Sequence, residues 1–176
     1  MIRIDSNIED VTRRLAALPR KVKPVLKKAS KRAAVSTRKR IMDIVRSKYA
    51  IKASDLRGGL VRMRQVGLGA RVDISGRPLS AMLFRPRQVS TGVALTIESG
   101  QRTTIRSAFI AVMPSGHEGI FKRVGKARLP IRELLGPSVP TMLQSAGVPV
   151  EAIVTFAANK LEQNVSRAID YELERL

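Results

Sequence analysis

The chain has 176 residues, no cysteine and no tryptophan, and its 33 Lys and Arg against 14 Asp and Glu give a formal net charge of +19. That length suits one domain with a real core, and the hydrophobic share of 44% excludes a wholly disordered basic tail. The missing thiols exclude a disulfide framework, a thiolate metal site and a cysteine nucleophile, and aromatics at 3% leave the core to Leu, Ile, Val, Ala and Met.

The opening Met-Ile-Arg-Ile-Asp lacks the apolar run of a secretory leader. No stretch approaches the roughly 20 apolar residues of a bilayer span, so a soluble, intracellularly made chain is expected. Residues 7–17 read as a short helix. Ser6 or Asn7 caps it, Glu9 and Asp10 lie in its first turn, and Ile8, Val11 and Leu15 share a face. Pro19 and Pro24 punctuate the chain, and either fits the opening turn of the next helix. From about Arg20 to Tyr49, Val22, Leu26, Ala29, Ala33, Thr37, Ile41 and Ile44/Val45 recur at steps of three and four, one helical stripe. The other faces carry Lys23, Lys27, Lys28, Lys31, Arg32, Arg38, Lys39 and Arg46.

Ala53–Arg57 reads as a turn of helix, and Gly58-Gly59 breaks the pattern. The period then changes to two. Leu60, Arg62 and Arg64 alternate with Val61 and Met63, and Arg71–Ile74 and Val93–Glu98 alternate likewise, as in antiparallel strands with one wet face. The continuous apolar run Ala108–Met113 predicts a central, doubly covered strand, and Ile120–Val124 a last one. Phe84–Thr91, with Arg85 and Arg87, and Gly100–Arg106, with Arg102 and Arg106, read as long cationic loops. Gly136–Pro140 is another breaker. A final helix from about Val150 to Leu176 carries Val150, Val154, Ala157/Ala158, Leu161, Val165, Ile169, Leu173 and Leu176 on one stripe, with Glu151, Glu162, Asp170, Glu172 and Glu174 mostly opposite.

Charge is unevenly spread. The first 64 residues hold nineteen Lys and Arg against five acids, whereas residues 147–176 hold three against five. Such a chain meets a polyanion at one end and a different partner at the other. For the basic helix three readings stand open: a solvated face, direct contact with DNA phosphates, or the lining of an assembly surface near DNA or acidic partners. Acids at i+4 that would offset its charges are nearly absent. The scarcity of aromatics argues against stacking on single strands, and no helix-turn-helix or finger pattern points to sequence-specific readout. The thin apolar stripe, with Ala29, Ala33 and Thr37 at its centre, argues against a membrane-surface helix.

Chemistry is sparse. His117, the one histidine, neighbours Glu118, but no set of ligands at zinc spacing accompanies it. A local hydrogen bond in a loop is the expected role. Ser115 lies too close in sequence to His117 for a catalytic pair, and no nucleophile elbow surrounds it. Gly67-Leu68-Gly69 lacks the third glycine of a dinucleotide loop, and no Walker-type Gly-Lys-Ser/Thr occurs. A non-enzymatic protein without cofactor or metal is expected.

The segment His117-Glu118-Gly119-Ile120-Phe121-Lys122-Arg123-Val124-Gly125-Lys126, followed by Leu129-Pro130-Ile131-Arg132-Glu133-Leu134-Leu135-Gly136-Pro137-Ser138-Val139-Pro140, resembles the minor tail protein Z, or tail completion, family of long-tailed bacteriophages and prophages. About 25 residues carry the likeness strongly, and the remainder matches by layout. A tyrosine is usual in the family where Leu135 stands. The resemblance implies a structural virion protein acting late in tail assembly, at the head-proximal end where the tail joins the filled capsid. Its implied neighbours are the tail terminator, the tape measure protein, the head-tail connector and the leading end of double-stranded DNA, bound without sequence specificity. The resemblance also implies a place in the virion tail after assembly in the bacterial host cytoplasm, and the tail's symmetry adds a homo-oligomeric ring. Phe121, Lys122, Arg123, Gly125, Leu129, Pro130, Gly136, Pro137, Ser138, Val139 and Pro140 are the motif residues that either dock on a neighbour or pack on their own sheet.

The expected fold is α+β: basic N-terminal helices (1–52), a β-rich core around a mostly antiparallel sheet with cationic loops (53–146), and a C-terminal amphipathic helix (147–176) packed on one face. The alternative function is a free, non-specific DNA-binding protein.

Overall fold

A computed structural model of the chain describes residues 22–174. The expected helix at 7–17, with its caps and Pro19, lies outside the described residues. The fold is α+β, as the periodicities require. Helix α1 (Val22–Lys48) leads into a helical turn (Ala53–Asp55) and a wider one (Leu56–Leu60). Strands β1 (Val61–Val66), β2 (Gly69–Ile74) and β3 (Leu79–Ser80) precede a single 3-10 turn, Ala81–Phe84. Then follow β4 (Arg87–Val89), β5 (Gly92–Leu95), β6 (Thr103–Arg106), β7 (Ala108–Val112), β8 (Glu118–Arg123), β9 (Ile131–Glu133) and β10 (Leu135–Gly136). Helices α2 (Val139–Ser145) and α3 (Val150–Leu173) close the described chain.

Helix α1 buries Val25, Leu26, Ala29, Ala33, Ala34, Thr37, Ile41, Met42 and Val45. Thr37 is satisfied there because its hydroxyl donates to the Ala33 carbonyl at 2.9 Å. Helix α3 runs antiparallel to it. Leu26 and Ala29 near the start of α1 cluster with Val165, Leu161 and Ile169, while Met42 and Val45 near its end share a core with Ile153. The C-terminal helix therefore packs along α1 rather than across a sheet, and the small side chains of α1 let it approach closely.

On the neighbouring side of α1 lies the β1–β2 hairpin, paired from Val61↔Ile74 to Val66↔Gly69. Gly67, at φ 58°, makes the two-residue turn that glycine favours. The Ser30 hydroxyl on α1 donates to the Leu68 carbonyl at 2.8 Å, fastening the hairpin tip to the helix.

The strands form four small antiparallel sheets, β1-β2, β10-β3, β4-β5-β6 and β7-β8-β9, where one central sheet was expected. Two stretches read as loops hold strands: β4 lies within Phe84–Thr91 and β6 within Gly100–Arg106. The apolar run Ala108–Met113 forms β7, an edge strand and not a central one. Ala108 is buried, but Val112 is 65% exposed. A continuous apolar run cannot say by itself how many faces are covered. Ser107, at φ 60°, turns the chain between β6 and β7. Gln88 then joins the two three-stranded sheets: its side-chain oxygen accepts from the Ile110 amide at 2.9 Å, and its amide donates to the Gly92 carbonyl at 2.8 Å.

Phe84 is fully buried in the main core with Ile41, Leu56, Val139 and Met142. A Cβ on Gly136 would run into its ring. Gly136→Ala is therefore expected to destabilise the chain by about 1–3 kcal/mol, the usual cost of overpacking, as a lowered midpoint in chemical denaturation.

Candidate polyanion-facing surfaces

Long cationic side chains occupy the face of α1 that neither the hairpin nor α3 covers. Lys23, Lys27, Lys28, Lys31, Arg32, Lys39 and Arg46 are exposed, and Arg38 is half-buried. At 1.5 Å per residue, Lys23 to Arg46 spans roughly 35 Å. Asp43 is the only acid on this helix. The ion pairs among the described residues are Lys48–Glu98 at 3.8 Å, Arg64–Asp73 at 2.8 Å and His117–Glu133 at 2.9 Å. None uses a cation of this face. Near its middle, Lys28, Lys31, Arg32, Val35 and Ser36 border an open groove of about 520 Å³ with Asn164 of α3. Three cations stand around this one shallow groove, which is open to solvent.

Two of the four predicted loop cations share a second surface. Register pairs Arg87 with Ala94 and Gly92 with Arg106. Because alternate residues of a strand share a face, Arg87 and Arg106 lie on the same side of the β4–β6 sheet, opposite Val93 and Leu95, which are buried. Arg102 is exposed just before β6, and Arg85, at φ 51°, is exposed where the 3-10 turn ends.

The motif residues divide between two environments. Phe121 is buried, with its ring 6.2 Å from that of Phe109, and Arg123 lies 5.5 Å over Phe109. Gly136 presses on Phe84. The Ser138 hydroxyl caps α2, accepting from the Thr141 amide at 3.4 Å; Val139 is fully buried, and Pro137 and Pro140 are half-buried. Of the two roles open for Gly136–Pro140, these residues pack on their own fold.

Lys122 through Pro130, by contrast, are nine consecutive exposed residues. With Gly125 at its turn and a cis Leu129-Pro130 bond, this segment and the strands it joins form a β8–β9 arm. Lys122, Arg123, Lys126, Arg128 and Arg132 stand within residues 122–132, a stretch without an acid; Glu118 and Glu133 lie at the far ends of the two strands. Sequence reasoning marked Lys122 and Arg123 only as motif residues and passed over Lys126, Arg128 and Arg132. The acid-free run of five cations was the available signal.

His117 was expected to make a local hydrogen bond in its loop; its Nε2 instead meets Oε1 of Glu133 on β9, 16 residues on, at 2.9 Å, with its ring edge-on to Phe121. Among the described residues no group of three or more His, Cys, Asp or Glu is gathered to hold a metal ion. No single described helix is long and apolar enough to cross a membrane. No protein-family model, curated protein or solved structure matches the chain.

Proposed function

We propose that the chain is a structural bacteriophage or prophage tail protein of the tail-completion type. It acts at the head-proximal end of the tail, as one subunit of a ring beside the DNA path. The observation that carries this reading is the cationic face of α1, none of whose charges is ion-paired among the described residues. Like charges along one helix repel each other, and a fold with only its own stability to serve would intersperse acids. A passage for double-stranded DNA, which carries one charge per about 1.7 Å of axis, uses such a face directly. The resemblance of residues 117–140 to the minor tail protein Z family suggests the setting: terminator, tape measure protein and connector as neighbours, and no bond made or broken by this chain.

Labelling the chain in purified particles and imaging them tests the reading. Density at the head-proximal end of the tail is expected, and absence of the chain from mature particles would sink it. The same cationic face also suits a free DNA-binding protein. In that case the isolated chain binds duplex DNA tightly, with log K falling by several units per log unit of salt, and never enters a virion. The tail reading expects weak binding by the free chain and a slope near zero.

A further inference from the structure

We infer that copies of this chain associate head-to-tail, the β8–β9 arm of one docking on the outward stripe of α3 of the next. The inference rests on the tail reading for its setting, where it supplies the contact surfaces of the ring. The contact itself is argued from geometry and charge.

The arm is built to meet another surface. The Val124 amide donates to the Pro130 carbonyl at 3.0 Å, closing the loop base so that residues 125–129 stand clear of the sheet. At its two sides Val124 and Leu129 are 68% and 66% exposed, among the most exposed large apolar side chains of the described residues. Cations flank both. Large apolar groups ringed by charge mark a protein contact, because water gains nothing from covering them and a phosphate backbone has no apolar surface to offer.

The complementary surface is on α3. Ala152, Thr155, Asn159, Glu162, Ser166 and Asp170 are exposed and recur at steps of three and four, so they share one side of the helix. That stripe contains no Lys or Arg, on a chain whose bases outnumber its acids by more than two to one. Its small side chains at 152, 155 and 166 leave room for Val124 and Leu129 to lie close to the helix, with Glu162 and Asp170 beside the arm's cations. Arm and stripe are both exposed, so neither covers the other within one chain. A contact between two different surfaces is heterologous: it propagates from copy to copy and closes into a ring when the rotation permits. Opposite charge orients the encounter, and salt weakens it.

The absence of cysteine makes disulfide trapping unambiguous. Ala127→Cys at the arm tip and Ser166→Cys on the stripe, both at exposed positions, are oxidised alone and as a mixture of the two full-length proteins. Ser54→Cys, also exposed, serves as the control. A mixed dimer is expected, with neither variant pairing with itself above the control. Adding Lys126→Glu and Arg128→Glu to the arm variant is expected to lower the mixed yield about tenfold or more, and Glu162→Lys with Asp170→Lys on the partner to restore it. Arm–arm pairing, a mixed yield no higher than the control, or a yield indifferent to charge reversal each overturns the inference. If charge reversal on the arm weakens duplex DNA binding while no mixed dimer forms, the arm is a DNA contact and the inference is likewise wrong. These measurements use free protein, so they stand or fall apart from the particle imaging that judges the tail reading.

Discussion

On the proposed tail reading, changing Lys27, Lys28, Lys31 and Arg32 together to glutamine is expected to cut the infectivity of assembled particles by roughly an order of magnitude or more, because about four charges proposed to meet DNA phosphates are lost. Stability should move by no more than about 0.5 kcal/mol, as for surface changes generally. The two expectations separate because all four side chains are exposed and none is ion-paired among the described residues. Removing like charges from one helical face relieves repulsion, so any small change in stability should be favourable. Titre and thermal melting of the variant, measured side by side, make the test. Fully infectious particles carrying the variant would remove the reason for placing the α1 face beside DNA.

Phe84→Ala should have the largest effect on the fold, about 3–5 kcal/mol, the range for truncating a buried phenylalanine. The ring is fully buried at a junction of several elements. Its own carbonyl accepts from the Thr96 amide at 2.9 Å, its cluster includes Ile41 of α1 and Met142 of α2, and Gly136 of β10 lies against it. Those neighbours belong to different elements held by their own hydrogen bonds, so they cannot collapse into the space left behind. Denaturant unfolding followed by circular dichroism reads the loss directly. Asp73→Ala is the useful contrast. It removes the 2.8 Å pair with Arg64, whose side chain is 66% exposed, and should cost no more than about 1 kcal/mol.

The helices were legible because their stripes are long. Leu26, Ala29, Ala33, Thr37 and Ile41 repeat the helical period over enough turns to outweigh weak propensities, and Val154 to Ile169 do the same. The strands were legible where alternation was clean, as in Val61–Arg64 and Arg71–Ile74, or where an apolar run was continuous, as in Ala108–Met113, though that run hid its edge position. Thr103–Arg106 was read as loop because its edge position leaves it mostly exposed, so no apolar alternation marks it. Val139–Ser145 was missed because Gly136-Pro137 and Pro140 read as breakers, although proline is well tolerated in the first turn of a helix and Ser138 is a good cap. At the candidate site, the α1 cations were visible as the faces left over from a stripe. That Arg87 and Arg106 share one face depends on β5 lying between their strands, a pairing that local sequence does not encode.

The division of the strands into four small sheets has a consequence for how copies of this chain can meet. Among the described residues the strands are two to six residues long, and outer ones such as β4, β6 and β9 carry Arg87, Arg106 and Arg132. Margins as short and cation-bearing as these three offer little to a second chain seeking amides and carbonyls to pair with, and on the apolar edge strand β7 the Ile110 amide is already taken by Gln88. Adhesion between molecules is thereby left to side chains, whose grip loosens with ionic strength. On the tail reading proposed above, a ring subunit with such margins is kept from premature fibre growth before it is assembled.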